Sequence, residues 1–299
     1  MKIGLCLSGG GVRGIAHIGV LQALEEAGIV IDALSGASAG AIVATLYAAG
    51  FAPKDILQVF KESSLTKLFK LGLPTAGLTD NTYIIETLGK LLDRDDFAAL
   101  RKPVYLSVTN LSQGTSEIRH EGPLFEIVAA SSAIPILFET RSIDGQQYVD
   151  GGVLNNLPAE PLRETCDLVI GVNVTPIKPA ETIDGILQVG YRTLDLVLWS
   201  NVEPRLRLCD VVISPDAGNF GLFELWKADE IYQIGYQAAQ EALPALHELV
   251  GDKRLMAAPP TYRALPEMPP PPPSWWRRRW AQLRAWFVRL FKRNRPADQ

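Results

Sequence analysis

The chain has 299 residues, 47% of them hydrophobic, which is ample for one large α/β domain with a substantial core. Its charge is divided: Ser274 to Gln299 carries eight Lys/Arg against one acidic residue, a net of +7, which leaves −11 on the first 273 residues of a chain whose total is −4. An acidic body argues against nucleic-acid binding, and three scattered cysteines (Cys6, Cys166 and Cys209) with no C-x-x-C spacing support neither a disulfide framework nor a zinc site. No run of 18 apolar residues offers a spanning helix, and the apolar start is too short for a signal peptide, so a reducing, cytoplasmic setting is expected.

In chain order, Lys2 to Ser8 reads as a first strand and Val12 to Ala27 as an amphipathic helix closed by Gly28. Between them stands Gly9-Gly10-Gly11-Val12-Arg13-Gly14. This string fits the G-x-G-x-x-G of a dinucleotide site, with Asp32 about where a ribose-binding acid would be sought, but Asp32 falls inside the next strand. The other use of such a loop is as a cradle of backbone N–H groups for an anion.

Ile29 to Leu34 reads as a second buried strand and Ala41 to Ala49 as a helix, so Gly36-Ala37-Ser38-Ala39-Gly40 occupies a strand-to-helix turn. A G-x-S-x-G turn of this kind thrusts a serine hydroxyl above the sheet edge, at a helix N-terminus whose dipole favours developing negative charge. Ser38 is therefore a candidate nucleophile. A right-handed β-α-β unit would set Gly9 to Gly11 beside it, and the amides of Gly10, Gly11 and Ala39 would then suit an oxyanion.

Pro53 to Ser63 and Asp80 to Leu92 read as helices, flanking Leu65 to Pro74, an apolar and basic stretch that suits either a lid or a surface plug. Val104 to Asn110 and Thr115 to His120 read as a hairpin, Leu124 to Ser132 as a helix, and Ile134 to Phe138 as either an acyl-chain wall or core. Gln147 to Val149 leads into Asp150-Gly151-Gly152, a carboxylate at a strand end. His17, His120 and His247 fall in a helix, at a strand end and late in a helix, so none is placed as a base for Ser38, whereas a serine paired directly with an aspartate needs no histidine. Leu168 to Val174 and Val211 to Ser214 complete the sheet around a helix from Thr182 to Leu208, and Trp226 to Leu249 is the last helix of a body spanning residues 1–258.

Pro259 to Pro273 holds eight prolines and reads as an extended spacer able to reach roughly 45 Å, at about 3.1 Å per residue. Beyond it, residues 274–299 hold four of the six tryptophans. Trp276, Trp280, Leu283, Phe287, Leu290 and Phe291 fall on one helical stripe, with Arg278, Arg289, Lys292 and Arg293 opposite. An amphipathic aromatic helix with a cationic face suits the headgroup region of an anionic membrane, with docking on the acidic body, an oligomer contact or a nucleic-acid arm as the alternatives.

The three motifs together, Gly9 to Gly14, Gly36 to Gly40 and Asp150 to Gly152, resemble the patatin-like phospholipase family, and the continuations Ala16 to Leu21 and Gly152 to Pro158 look most like its bacterial members related to neuropathy target esterase. The resemblance implies a three-layer α/β/α fold with a mainly parallel sheet, Ser38 as nucleophile and Asp150 as sole general base. It also implies an oxyanion loop of Gly9, Gly10, Gly11, Arg13 and Gly14, glycines Gly36, Gly40, Gly151 and Gly152 that shape the elbow and the Asp-Gly-Gly turn, and no metal or cofactor. The expected substrate is an acyl ester of a phospholipid or lysophospholipid, for a peripherally membrane-associated enzyme. Transfer to another acceptor, thioester cleavage, or a non-catalytic membrane-recruited role are the alternatives.

Overall fold

The structure is a computed structural model, and it describes residues 1–62, 80–177, 179, 183, 185–221, 224–251 and 260–266. The expected lid segment Leu65 to Pro74 and the aromatic tail 274–299 lie outside the described residues.

Eight strands form one sheet: β1 (Ile3–Leu7), β2 (Ala33–Gly36), β3 (Val104–Asn110), β4 (Thr115–Arg119), β5 (Arg141–Ile143), β6 (Gln146–Asp150), β7 (Leu168–Val172) and β8 (Val211–Ile213). They lie in the order β5-β6-β3-β2-β1-β7-β8, with β4 also paired to β3. The central five, β3 to β8 across β2, β1 and β7, are parallel, and β4, β5 and β6 are antiparallel additions at the β3 side. The helices are α1 (Ile15–Glu26), α2 (Ala39–Ala48), α3 (Pro53–Glu62), α4 (Tyr83–Leu91), α5 (Leu124–Ser131), α6 (Gly152–Asn155), α7 (Glu160–Thr165), α8 (Ile186–Leu206) and α9 (Ala228–Val250).

Alternation along the central strands explains why there are two helical layers. On β1, Ile3, Leu5 and Leu7 enter the large core built with α1, α2 and α9, while Cys6 faces a second cluster with Leu157, Leu162 and Val202 on the opposite side. A period of two with both faces apolar is what a parallel sheet covered on both sides requires. Gly19 and Gly235 let α1 and α9 touch: a Cβ on either would run into the backbone carbonyl of Tyr232 or Ala16.

Several boundaries differ from the sequence expectation. The first helix begins at Ile15, because Gly11–Gly14 winds as a 3₁₀ turn to bring the glycine loop around. The second strand is Ala33–Gly36 rather than Ile29 to Leu34. Asp32 lies ahead of it and accepts the N–H of Ile3 at 2.8 Å. That places Asp32 at the amino end of the parallel strands, opposite the glycine loop, and removes the dinucleotide reading. The long helix begins at Ile186, after Gly185 at φ +85.

Nor is the start of the proline-rich stretch a free spacer. Arg101 donates to the carbonyl of Thr261 at 2.6 Å, the N–H of Arg263 to the carbonyl of Gly50 at 2.6 Å, and Tyr262 Oη to Glu25 at 2.5 Å. Arg263 also pairs with Asp93 and lies over the Phe51 ring. Residues 260–266 thus strap the ends of α1 and α2 that lie farthest from Ser38. Glu25 takes Tyr47 as well, and its burial pushes its carboxyl up against those two hydrogen bonds.

Candidate active site

The carboxyl ends of β1 and β2 carry the glycine loop and the serine turn side by side, since Leu7 pairs with Gly36 in parallel register. Ser38 sits at φ +53, a conformation that costs a non-glycine residue energy and is held by its surroundings. The Ala37 N–H donates to Leu7 O at 3.2 Å and the Ser38 N–H to Ser131 Oγ at 3.0 Å. Gly40 is required here because a Cβ would collide with the carbonyls of Leu7 and Ser8, and α2 could not start against β1.

Register also brings in Asp150. Gly36 is level with Leu106 on β3, and two residues along β3 Val108 faces Asp150 on antiparallel β6. Asp150 therefore ends its strand at the height of Ser38, two residues beyond Gly36. The N–H of Asp150 donates to Ala133 O at 2.9 Å and that of Gly151 to Ser131 O at 3.3 Å. Ser131 thus holds both halves of the site, through its hydroxyl and its carbonyl. The carboxylate accepts the Gly152 N–H at 2.8 Å, and the neighbouring Ser38 hydroxyl also favours its charged form. Burial raises its pKa to about 7 despite both of these influences.

Ser38 and Asp150 line one pocket with Gly10, Gly11, Ile134, Pro135, Val153, Leu194 and Leu198. The amides of Gly10, Gly11 and Ala39 meet no acceptor among the described residues. Gly9, grouped with the oxyanion loop in the sequence reading, is different: its N–H is taken by Asn156, at 3.2 Å by the carbonyl and 3.1 Å by Oδ1. Arg13 and Gly14 are likewise scaffold rather than lining. Arg13 Nε donates to Phe220 O at 2.9 Å, with Nη1 3.8 Å from Asp195, and Gly14 leaves room for Ala39. A Cβ on Gly10 would come within 2.7 Å of Val174 Cγ2, and Gly11 is at φ +59, so alanine at either strains the loop itself. Gly36 makes room for Gly40, and Gly151 for the carbonyl of Ser107.

None of the three histidines lines this pocket. His120 and His247 are exposed. His17 is buried in α1, with Nε2 2.7 Å from Ser8 O, and burial lowers its pKa to about 4, so it stays neutral and braces the strand that leads into the glycine loop. Asn156 and Ser131 are the residues the sequence reading did not single out by role. Asn156 stood inside the quoted continuation after Asp150, whereas Ser131 had no local signal.

The sequence pattern of the family described as patatin-like phospholipase matches residues 5–163. The chain is 28% identical over 287 residues to "Lysophospholipase nte1" of Neurospora crassa, covering 83% of this chain and 18% of that protein. It is 38% identical over 175 residues to "Lysophospholipase NTE1" of Cryptococcus neoformans, covering 54% of this chain and 10% of that protein. The chain thus spans less than a fifth of the length of these relatives. Among solved structures, VipD from Legionella pneumophila superposes with a TM-score of 0.54 at 17% identity, covering 82% of this chain and 67% of that one, which shows a shared fold. With the family pattern running from β1 through the serine turn and Asp150 to α7, this chain belongs to the patatin-like phospholipase family.

Proposed function

We propose that this chain hydrolyses acyl esters of phospholipids or lysophospholipids with a Ser38–Asp150 dyad. The observation that supports the reading is that the buried Ser38 and Asp150 side chains line one pocket that no histidine lines, together with Gly10 and Gly11, whose N–H groups meet no acceptor among the described residues. In the proposed cycle Asp150 accepts the Ser38 proton as Oγ attacks the ester carbonyl. The N–H groups of Gly10, Gly11 and Ala39 take the developing oxyanion, an effect worth about 3 to 4 kcal/mol per donor in favourable cases. The leaving alcohol carries away the proton, and Asp150 then activates a water that releases the acyl group. A carboxyl with a pKa near 7 suits both steps, because it is half ionised at neutral pH and basic enough to take a proton.

Brief incubation with lysophosphatidylcholine, acid quenching and peptide mass mapping is expected to find the fatty acyl group on the peptide containing Ser38, with free fatty acid accumulating in step. Acyl label on another residue would defeat the assignment. No group of three His, Cys, Asp or Glu side chains among the described residues could hold a metal ion, so EDTA is expected to leave the rate unchanged.

The tail remains the proposed contact with anionic membranes, each Lys/Arg near such a surface contributing on the order of 1 kcal/mol. Because residues 260–266 are strapped to the body, the truncation that tests it stops after Pro266 rather than before Pro260. The shortened protein is expected to lose most of the salt-sensitive part of its co-sedimentation with anionic liposomes while cleaving a soluble short-chain ester at the full rate. Undiminished liposome binding would refute the tail's role.

A further inference from the structure

The pocket is roofed by α8, whose two faces make different demands. Its inner face supplies Leu194 and Leu198 to the pocket and buries Val202, and Asn201 holds it down by donating to the carbonyl of Gly152 at 2.9 Å. The outer face of an exposed helix ordinarily carries charge. Among the residues whose exposure is described between Gln188 and Ser200, the exposed ones are Gln188, Val189, Thr193, Leu196, Val197 and Ser200, none of them charged, while the charged Arg192 and Asp195 are half-buried. Val189 is 51% and Leu196 49% exposed. The hydroxyls on this face are turned back on their own helix: Thr193 Oγ1 donates to Val189 O and Ser200 Oγ to Val197 O, both at 2.8 Å. Hydroxyls bonded in this way need no water partner, which is how serine and threonine are accommodated on a helix facing an apolar medium.

A second, independent segment adds to the same surface. Ile136 is 58% exposed and adopts φ +75, a rare and costly conformation for a β-branched residue. Its side chain lies over Gly190 of α8, 3.9 Å from where a Cβ would stand. The adjoining Ile134 and Pro135 line the Ser38 pocket. The pocket wall and the uncharged outer surface are therefore built from the same two segments, α8 and residues 134–136.

We infer that the outer face of α8, with Ile136 beside it, is a bilayer-docking surface that rests in the lipid headgroup boundary and sets the Ser38 pocket at the plane where an acyl ester lies. The acyl-ester reading above explains why a bilayer should face this pocket, and the surface itself rests on the absence of charge at its described exposed positions and on its internally bonded hydroxyls. No helix among the described residues is long and apolar enough to cross a membrane, so α8 lies along the surface rather than through it.

The test uses the full chain carrying Ser38→Ala, so that binding is read without lipid turnover, and neutral phosphatidylcholine vesicles, so that the cationic tail gains no Coulomb advantage. Val189→Asp combined with Leu196→Asp is expected to lower the partition coefficient by about tenfold or more, from the apolar area of two side chains. Thr193→Val, which exchanges the hydroxyl for a methyl, is expected to raise it about threefold. With Ser38 restored, all variants should cleave a soluble short-chain ester at the unaltered rate. Unchanged partitioning would overturn the proposal. So would an Asp pair that unfolds or slows the soluble reaction without a gain from Thr193→Val, which would make the face a packing surface. Conversion of a dimer to a monomer with vesicle binding intact would assign the face to a second copy instead. Failure of ester cleavage in the parent protein would sink the hydrolase reading and leave the partitioning result standing.

Discussion

Ser38→Ala is expected to abolish ester cleavage and labelling by a fluorophosphonate, lowering turnover by at least about a thousandfold, while the protein melts as the parent does. The expected size follows from the place of the hydroxyl: removing a nucleophile costs far more than removing one donor, because the remaining groups can only assist water. The expected stability follows from the backbone. The strain at φ +53 is common to serine and alanine, and the two bonds that hold the turn, from the Ala37 N–H to Leu7 O and from the Ser38 N–H to Ser131 Oγ, use main-chain donors that the substitution keeps. Residual turnover of more than a few per cent, with the fold intact, would move the nucleophile elsewhere. Ser131→Ala offers a contrast. It removes the acceptor for the Ser38 N–H but leaves the nucleophile, so its loss should be partial.

Much of this site was legible in the sequence because its parts sit on local signals. Gly36 and Gly40 around Ser38, and Asp150 before two glycines, mark turns where a Cβ would collide with neighbouring atoms, and the alternation of Ile3, Leu5 and Leu7 with Gly4 and Cys6 marks a strand covered on both faces. What was not legible depends on partners distant in sequence. Whether an N–H of the glycine loop is free is decided by Asn156, whose carbonyl and side chain take Gly9 across 147 residues and leave Gly10 and Gly11 open. The orientation of Arg13 is decided by Phe220 O and Asp195, far along the chain. The second strand was misplaced for a related reason: Ile29 and Ile31 are as apolar as any strand residue, but they are buried ahead of the ladder. Prolines likewise suggest an extended spacer, whereas contacts with Glu25, Gly50, Phe51, Asp93 and Arg101 make residues 260–266 part of the body.

Asp150→Asn should change activity and stability in opposite directions, and that opposition separates a working base from a merely structural carboxylate. Asparagine keeps an oxygen for the Gly152 N–H but cannot take the Ser38 proton, so turnover should fall by about 10² to 10⁴, and more if no other base substitutes. In the parent protein kcat/KM should rise with pH through a midpoint near 7, since the aspartate works only when ionised. The stability argument runs the other way. The folded carboxyl has a pKa raised from 3.8 to about 7 by burial, so the folded protein holds a proton that the unfolded chain has already released over that interval. The associated stability is fully present below about pH 4 and is lost as pH rises through about 7. That interval corresponds to about 4 kcal/mol. Asparagine carries no charge to bury and escapes the loss, so the variant should match the parent's stability trend near pH 4 and exceed it at pH 8 by up to that amount. Denaturant unfolding of both proteins at several pH values, beside their pH–rate profiles, measures both effects. A stability difference that does not grow between pH 4 and 8 would mean Asp150 is not held protonated by burial, and an active asparagine variant would place the base on another residue.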